Sequence, residues 1–310
     1  MDATATIKLT MGRREWGFLF ALTVCWSMSF FFVEVALRAL PPFTIVWLRV
    51  GLAALTLHVV VWLGPWKLPK GLEVWRAFFI MGFMNNVVPF SLIVWGQTQI
   101  HSGVAAILNA MTPIMTLLVA HFYTADERLS SRRGVGMVLG FCGAATLVGL
   151  DALEGFGGNV LGQLAILGAT VCYAFSGTFA RRFRRMGITP IQSATGQLTA
   201  STLWLLPLMV LVEQPWRLPM PSLEVWAAVT GLAVISTAMA YILFYAILGS
   251  SGVTNVMLVT FLVPVGAIWL GWSFLGEVLE PRHFAAMAMI AAGLMVIDGR
   301  LFRLLSSRRG

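Results

Sequence analysis

Side chains able to hold a solute or a charge are scarce in this chain, and they stand along stretches that are otherwise apolar. Arg49 is the one cation inside such a stretch. A charge at that depth is functional by default, although a long side chain can carry its head back to the interface. Lying about two turns from the end of its segment, Arg49 can snorkel, pair with Glu34, orient a substrate carboxylate or close a gate. Asn85 and Asn86 stand one turn before Pro89, and adjacent amides at mid-depth are costly to hide unless they wall a polar cavity. Asn109, Thr112 and Thr116, with Pro113 among them, fall on one helical face. Thr237, Tyr241 and Tyr245, with Ser236 beside them, form a second stripe. Each stripe can line a cavity or bond to neighbouring helices. Trp26 and Tyr173 lie well inside their segments, where an aromatic ring either flanks a solute or packs between helices.

Catalytic patterns are missing from this set. There is no HExxH, GxSxG or Walker A sequence, and Cys25, Cys142 and Cys172 have no metal-ligand spacing. No enzyme activity, cofactor or metal is therefore expected. Glu34, Glu277, Glu280 and Asp298 fall near segment ends, and no acid lies at mid-depth. That weighs against exchange of a cationic drug for a proton on a buried carboxylate. His58 lies inside a segment, where a satisfied or snorkelling imidazole is the default.

The elements that position these residues follow from composition. With 58% hydrophobic and 11% charged residues, and a mean hydropathy of +0.84, the chain is no soluble domain, where about a quarter of residues are charged. About 20 apolar residues cross a bilayer as a helix. The chain divides into ten such spans: 16–35, 43–64, 73–95, 102–123, 133–150, 159–180, 190–212, 223–247, 252–275 and 283–300. The alternation of a β-barrel strand is missing. Lys8, Arg13 and Arg14 precede the first span, which reads as a retained helix rather than a cleaved signal.

Of the 21 Lys and Arg, seventeen fall in the segments on the side of the N-terminus and only Arg38, Arg217 and Arg282 on the other. The positive-inside rule then puts both ends in the cytoplasm. The net charge of +8 belongs to loops beside anionic lipid and implies no nucleic acid.

A repeat organises the whole. Glu127-Arg128-Leu129, Arg132, Gly143 and Gly149 return as Glu277-Val278-Leu279, Arg282, Gly293 and Gly299, at a constant offset of 150 residues. Val24-Cys25-Trp26 resembles Val171-Cys172-Tyr173, and Pro42 to Arg49 has the spacing of Pro190 to Gln197. Residues 1–150 and 151–310 thus read as two five-helix halves. Because five is odd, the second enters the membrane inverted, as in many secondary carriers. Gly136 and Gly140 have the spacing of close helix packing. Pro89, Pro113 and Pro264 are the candidate hinges, with Pro113 and Pro264 in equivalent places.

These features resemble the drug/metabolite transporter superfamily and its EamA-type members: ten spans, two inverted halves, and a Pro followed by Glu-x-Leu near the end of each half. The resemblance implies alternating access by an exporter in the bacterial inner membrane, with amino acids, including aromatic ones, prominent among its substrates. It further implies a central cavity lined by helices 1, 3, 4, 6, 8 and 9. Trp26, Asn85, Asn86, Asn109, Thr112, Tyr173, Ser236, Thr237 and Tyr241 are its candidate lining. Few charges there suit a zwitterion with an apolar or aromatic side chain; lipophilic cations held by aromatic faces are the alternative. A small-molecule substrate and membrane lipid are the expected partners, and the chain is a monomer or a homodimer.

Overall fold

The computed structural model describes residues 11–123, 131–148, 158–251, 253–256 and 258–298. Glu127, Arg128, Leu129, Gly149 and Gly299 of the repeat lie outside them. The described residues are helical, without strands. We number the helices α1 (Arg13–Leu37), α2 (Pro42–Leu63), α3 (Leu72–Gln97), α4 (Ser102–Tyr123), α5 (Ser131–Val148), α6 (Gly158–Arg185), α7 (Pro190–Glu213), α8 (Leu223–Ser251), α9 (Val259–Leu275) and α10 (Pro281–Asp298). Seven are long and apolar enough to cross a membrane, and α5, α9 and α10 contain shorter apolar helices. The chain is a multi-pass membrane protein.

Local sequence explains where the helices start. Proline opens α2, α7 and α10, at positions where its missing N–H is no loss. Thr189 and Gln192 form a capping box on α7, and Ser222 accepts from Val225 N–H at the start of α8. Between α9 and α10 the chain reverses through Gly276, whose φ of 68° lies in the left-handed region that only glycine enters freely.

Five helices depart from regular α geometry, α7 and α9 among them through the π turns Met209–Glu213 and Gly271–Leu275 at their ends. In α3, Phe83–Val87 is a π-helical turn, with the Val88 N–H bonded to the Phe83 carbonyl five residues back. Pro89 has no N–H to give and would crowd the carbonyl of Asn85 in an α-helix; the wider turn relieves that conflict. In α8, Val234–Met239 is the corresponding π turn; here the Thr237 hydroxyl takes the Leu232 carbonyl at 2.8 Å. The two turns begin at nearly the 150-residue repeat offset. α4 breaks between Asn109 and Thr112. Pro113 therefore sits in the first turn of a second helical piece, rather than kinking a continuous helix as expected. Upstream of α9 a short turn, Val253–Val256, stands apart, so the expected continuous span from 252 is interrupted, and Pro264 lies inside the helix that follows.

The pairing of helices is regular. α2 packs on α7, α4 on α9 and α5 on α10. α1 packs on α8 and α9, while α6 packs on α3 and α4. At the α5–α10 contact, a Cβ on Gly136 would stand 2.5 Å from the Gly293 carbonyl, and one on Gly293 would stand 2.5 Å from that of Gly136. The small-residue spacing read from the sequence is used for this backbone approach.

Candidate functional site

The π turns of α3 and α8 present their polar residues to the middle of the bundle, where α2 and α7 meet them. From α3, Asn85 Nδ2 donates to Gln197 Oε1 at 3.0 Å and to the Tyr241 hydroxyl at 2.8 Å, while its Oδ1 accepts from Ser176 at 2.8 Å. Asn86, fully buried, donates to Ser201 and accepts from Tyr241, both at 3.0 Å. Side chains of α3, α6, α7 and α8 are thereby joined in one network. From α8, Thr237 accepts from Arg49 Nε at 3.0 Å. Arg49 and Gln197, which share a spacing from Pro42 and Pro190, thus each engage the π turn opposite.

Arg49 is 6% exposed and lies in the bundle. Its guanidinium carbon is 3.7 Å from the centre of the Phe90 ring, a cation–π contact, and the Tyr173 and Tyr241 phenols face it. It makes no ion pair among the described residues. The sequence allowed a snorkelling head or a bond to Glu34; the structure has neither, because Arg49 is held inward by Thr237 and Phe90. Burying a cation without an acid is costly, so this arrangement leaves the guanidinium with unspent capacity for an anion.

A chain of aromatic rings leads away from Tyr241. Tyr241 and Tyr245 stack at 6.0 Å, Phe244 packs on Tyr245 at 5.4 Å, and Trp26 reaches Phe244 at 5.8 Å. Tyr173, half-buried, packs against both large apolar clusters of the bundle, one around α1, α4 and α9 and one around α2, α7 and α8. It stands where they join. Across the bundle Asn109 Oδ1 is buried with no donor among the described residues, as is Ser236 Oγ on α8.

Other expected lining residues are committed elsewhere. Thr112 donates at 2.7 Å to the Asn109 carbonyl, which Pro113 leaves without a backbone donor, and Thr116 bonds back to the Thr112 carbonyl at 2.8 Å inside the second helical piece. Asn85 and Asn86 position Tyr241 rather than standing open. Sequence reasoning did not assign Gln197, Ser201 or Ser176 to the site. The repeat carried the signal for two of them, since Gln197 matches Arg49, and Ser176 follows Tyr173 by three residues as Ser29 follows Trp26; nothing in the spacing marked Ser201. Glu277, placed at a segment end by the sequence, is 5% exposed; its carboxylate accepts from the Ser102 and Gly103 N–H groups at 2.8 and 3.1 Å.

Similarity to known proteins identifies the family. The EamA-like transporter family matches residues 15–149 and again 160–298. The chain belongs to that family. Over 282 residues it is 24% identical to the uncharacterized inner membrane transporter YedA of Escherichia coli strain K12, covering 91% of this chain and 89% of YedA. It is 21% identical to the uncharacterized transporter YoaV of Bacillus subtilis, covering 90% and 94%, and 25% identical to the protein PecM of Dickeya dadantii, covering 91% of each. A solved crystal structure with 20% identity superposes with a TM-score of 0.65 over 92% of this chain and 96% of its own, which speaks to the fold. As an EamA member the chain is a membrane transporter of small molecules.

Proposed function

We propose that this transporter exports zwitterionic amino acids with apolar or aromatic side chains, by alternating access of two inverted halves in a bacterial inner membrane. One observation carries the substrate class: a buried Arg49, without an acidic partner among the described residues, stands at the head of an aromatic-lined site. Its guanidinium receives the carboxylate as a charge-assisted hydrogen bond. Asn109 Oδ1 accepts from the ammonium, and Trp26, Tyr173 and Tyr241 hold the side chain. A lipophilic cation would meet the same rings, but it would also meet the charge of Arg49, which disfavours it.

Support for two inverted halves comes from several sides. The family matches the chain twice, the π turns recur near the 150-residue offset, and the helix contacts exchange under α1↔α6, α2↔α7, α3↔α8, α4↔α9 and α5↔α10. Ten spans with both termini inside follow from the distribution of Lys and Arg. The E. coli relative described as an inner membrane transporter supports the location.

Counterflow in proteoliposomes tests the substrate. Vesicles loaded with unlabelled Phe, Leu, Met or Thr are expected to accumulate tracer phenylalanine beyond empty vesicles. Accumulation of a lipophilic cation by the same vesicles, with no phenylalanine entry, would replace this reading with the cation one.

A further inference from the structure

A second concave surface, which Arg49 does not line, lies between α2 and α7. It is a groove of about 290 Å³ that follows α2 from Trp47 to His58 and is walled on the other side by Thr199, Thr202 and Leu203 of α7. Leu55 and Leu203, one on each wall, are 64% and 52% exposed, so the groove opens on the outside of the bundle. From Trp47 to His58 the helix rises roughly 16 Å, about half of the roughly 30 Å hydrocarbon core. That is the depth one acyl tail covers.

The polar groups in the walls are turned back on their own helices. Thr199 donates to the Thr195 carbonyl and Thr202 to the Leu198 carbonyl, both at 2.8 Å, and His58 Nδ1 lies 2.8 Å from the Ala54 carbonyl. The Trp47 indole N–H is buried. What remains is an almost wholly apolar surface, with nothing to hold the carboxylate or ammonium of a zwitterion. A volume of this size drawn out over such a length fits a slender hydrocarbon chain rather than a compact solute.

Charge distinguishes the two ends. At the end assigned to the cytoplasm, the loop after α2 is tied on both sides: the Lys67 carbonyl accepts from Gln192 in the first turn of α7 at 2.6 Å, and the Pro69 carbonyl from the Trp75 indole at 2.9 Å. These bonds place Lys67 and Lys70 at the mouth between α2 and α7. Arg184 and Arg185 end α6 on the same side. None of these four cations is in an ion pair among the described residues. Glu73, three residues beyond Lys70, is taken by Arg182 at 2.9 Å. The other end carries an acid instead, Glu213, which accepts from the Phe43 and Thr44 N–H groups.

We propose that the groove seats one tail of an anionic phospholipid of the cytoplasmic leaflet, with its phosphate at Lys67 and Lys70. A basic mouth between helices on that side favours an anionic headgroup over a zwitterionic one. The tail enters beside Trp62, which is 82% exposed one turn beyond His58, and runs to Trp47. Filled in this way, the groove braces α2, which carries Arg49, against α7, which carries Gln197. Lipid binding is independent of the solute carried.

Native mass spectrometry tests this on the full chain in detergent, titrated with dioleoyl phosphatidylglycerol or dioleoyl phosphatidylcholine. Wild type is expected to retain one phosphatidylglycerol in preference to phosphatidylcholine. The preference should fall roughly 5-fold for each lysine removed by Lys67→Gln and Lys70→Gln. The double variant Leu55→Trp/Leu203→Trp puts an indole on each wall at positions already exposed. It should lose the retained lipid while melting as wild type does in lipid-free detergent. Equal retention of the two lipids by wild type, or a preference unchanged in the lysine variants, overturns the proposal. Undiminished retention in the folded groove variant overturns it too. A dimer mass in wild type that the groove variant abolishes would assign the groove to a second copy of the chain and remove the lipid.

Discussion

Tyr241 serves two amides with one hydroxyl, accepting from Asn85 and donating to Asn86. Tyr241→Phe keeps the ring and its stacking on Tyr245 but leaves Asn86 Oδ1 buried without a donor, at a cost of about 1–3 kcal/mol. The expected outcome is a lower melting temperature in detergent; an unchanged one would mean that the network does not stabilise the fold. Ser176→Ala removes a donor to Asn85 at the edge of the network and should cost less, by the same measurement. At this scale the sequence was only partly legible. The types of Asn85, Asn86 and Arg49 marked them as special, since polar groups at mid-depth need a reason. Their partners lie more than ninety residues away, on helices whose rotation depends on packing that no single segment encodes.

Helices end where the chemistry of their ends directs. Glu213 closes α7 and accepts from the Phe43 and Thr44 N–H groups at 2.8 and 2.6 Å and from the Thr44 hydroxyl at 2.8 Å. A carboxylate there favours the positive end of α2. Glu213→Gln removes the charge and one acceptor, with an expected loss of about 1 kcal/mol in thermal unfolding. The α5–α10 contact is less forgiving, because the obstacle to a side chain at Gly293 is backbone, the Gly136 carbonyl and the Gly140 N–H. Gly293→Val must separate the two helices; we expect a cost of about 1–3 kcal/mol and a reduced yield of folded protein in membranes. Wild-type stability for this variant would contradict the packing. The seven long apolar helices were legible because apolar length and loop prolines state them directly. The π turns were not, since Asn85 and Thr237 carry stripes that read equally well as α-helix until Pro89 and the Leu232 carbonyl impose the wider turn.

For the whole molecule, charge asymmetry argues for the proposed orientation and the repeat for the proposed two halves, and both arguments run over the chain at long range. A single cysteine at Gly187, in the turn after the Arg181–Arg185 segment, should react with a membrane-impermeant thiol reagent only from the cytoplasmic side, in a background lacking the native cysteines; labelling from outside would reverse the orientation. The assembled cluster around Arg49, by contrast, was visible only as separate candidates, because Arg49 acquires its meaning from Phe90 on α3, Tyr173 on α6 and Thr237 and Tyr241 on α8 together. The central claim is that these helices hold a carboxylate on Arg49. It is tested most directly by competition against tracer phenylalanine in counterflow, comparing phenylalanine with phenylalanine amide in wild type and in Arg49→Gln. A hydrogen bond to a charged group contributes about 1.5–3 kcal/mol, or roughly 10- to 100-fold in affinity. Wild type should therefore prefer the acid by that factor and Arg49→Gln should lose the preference. Equal discrimination in the two proteins, at equal folded amount, would contradict the account.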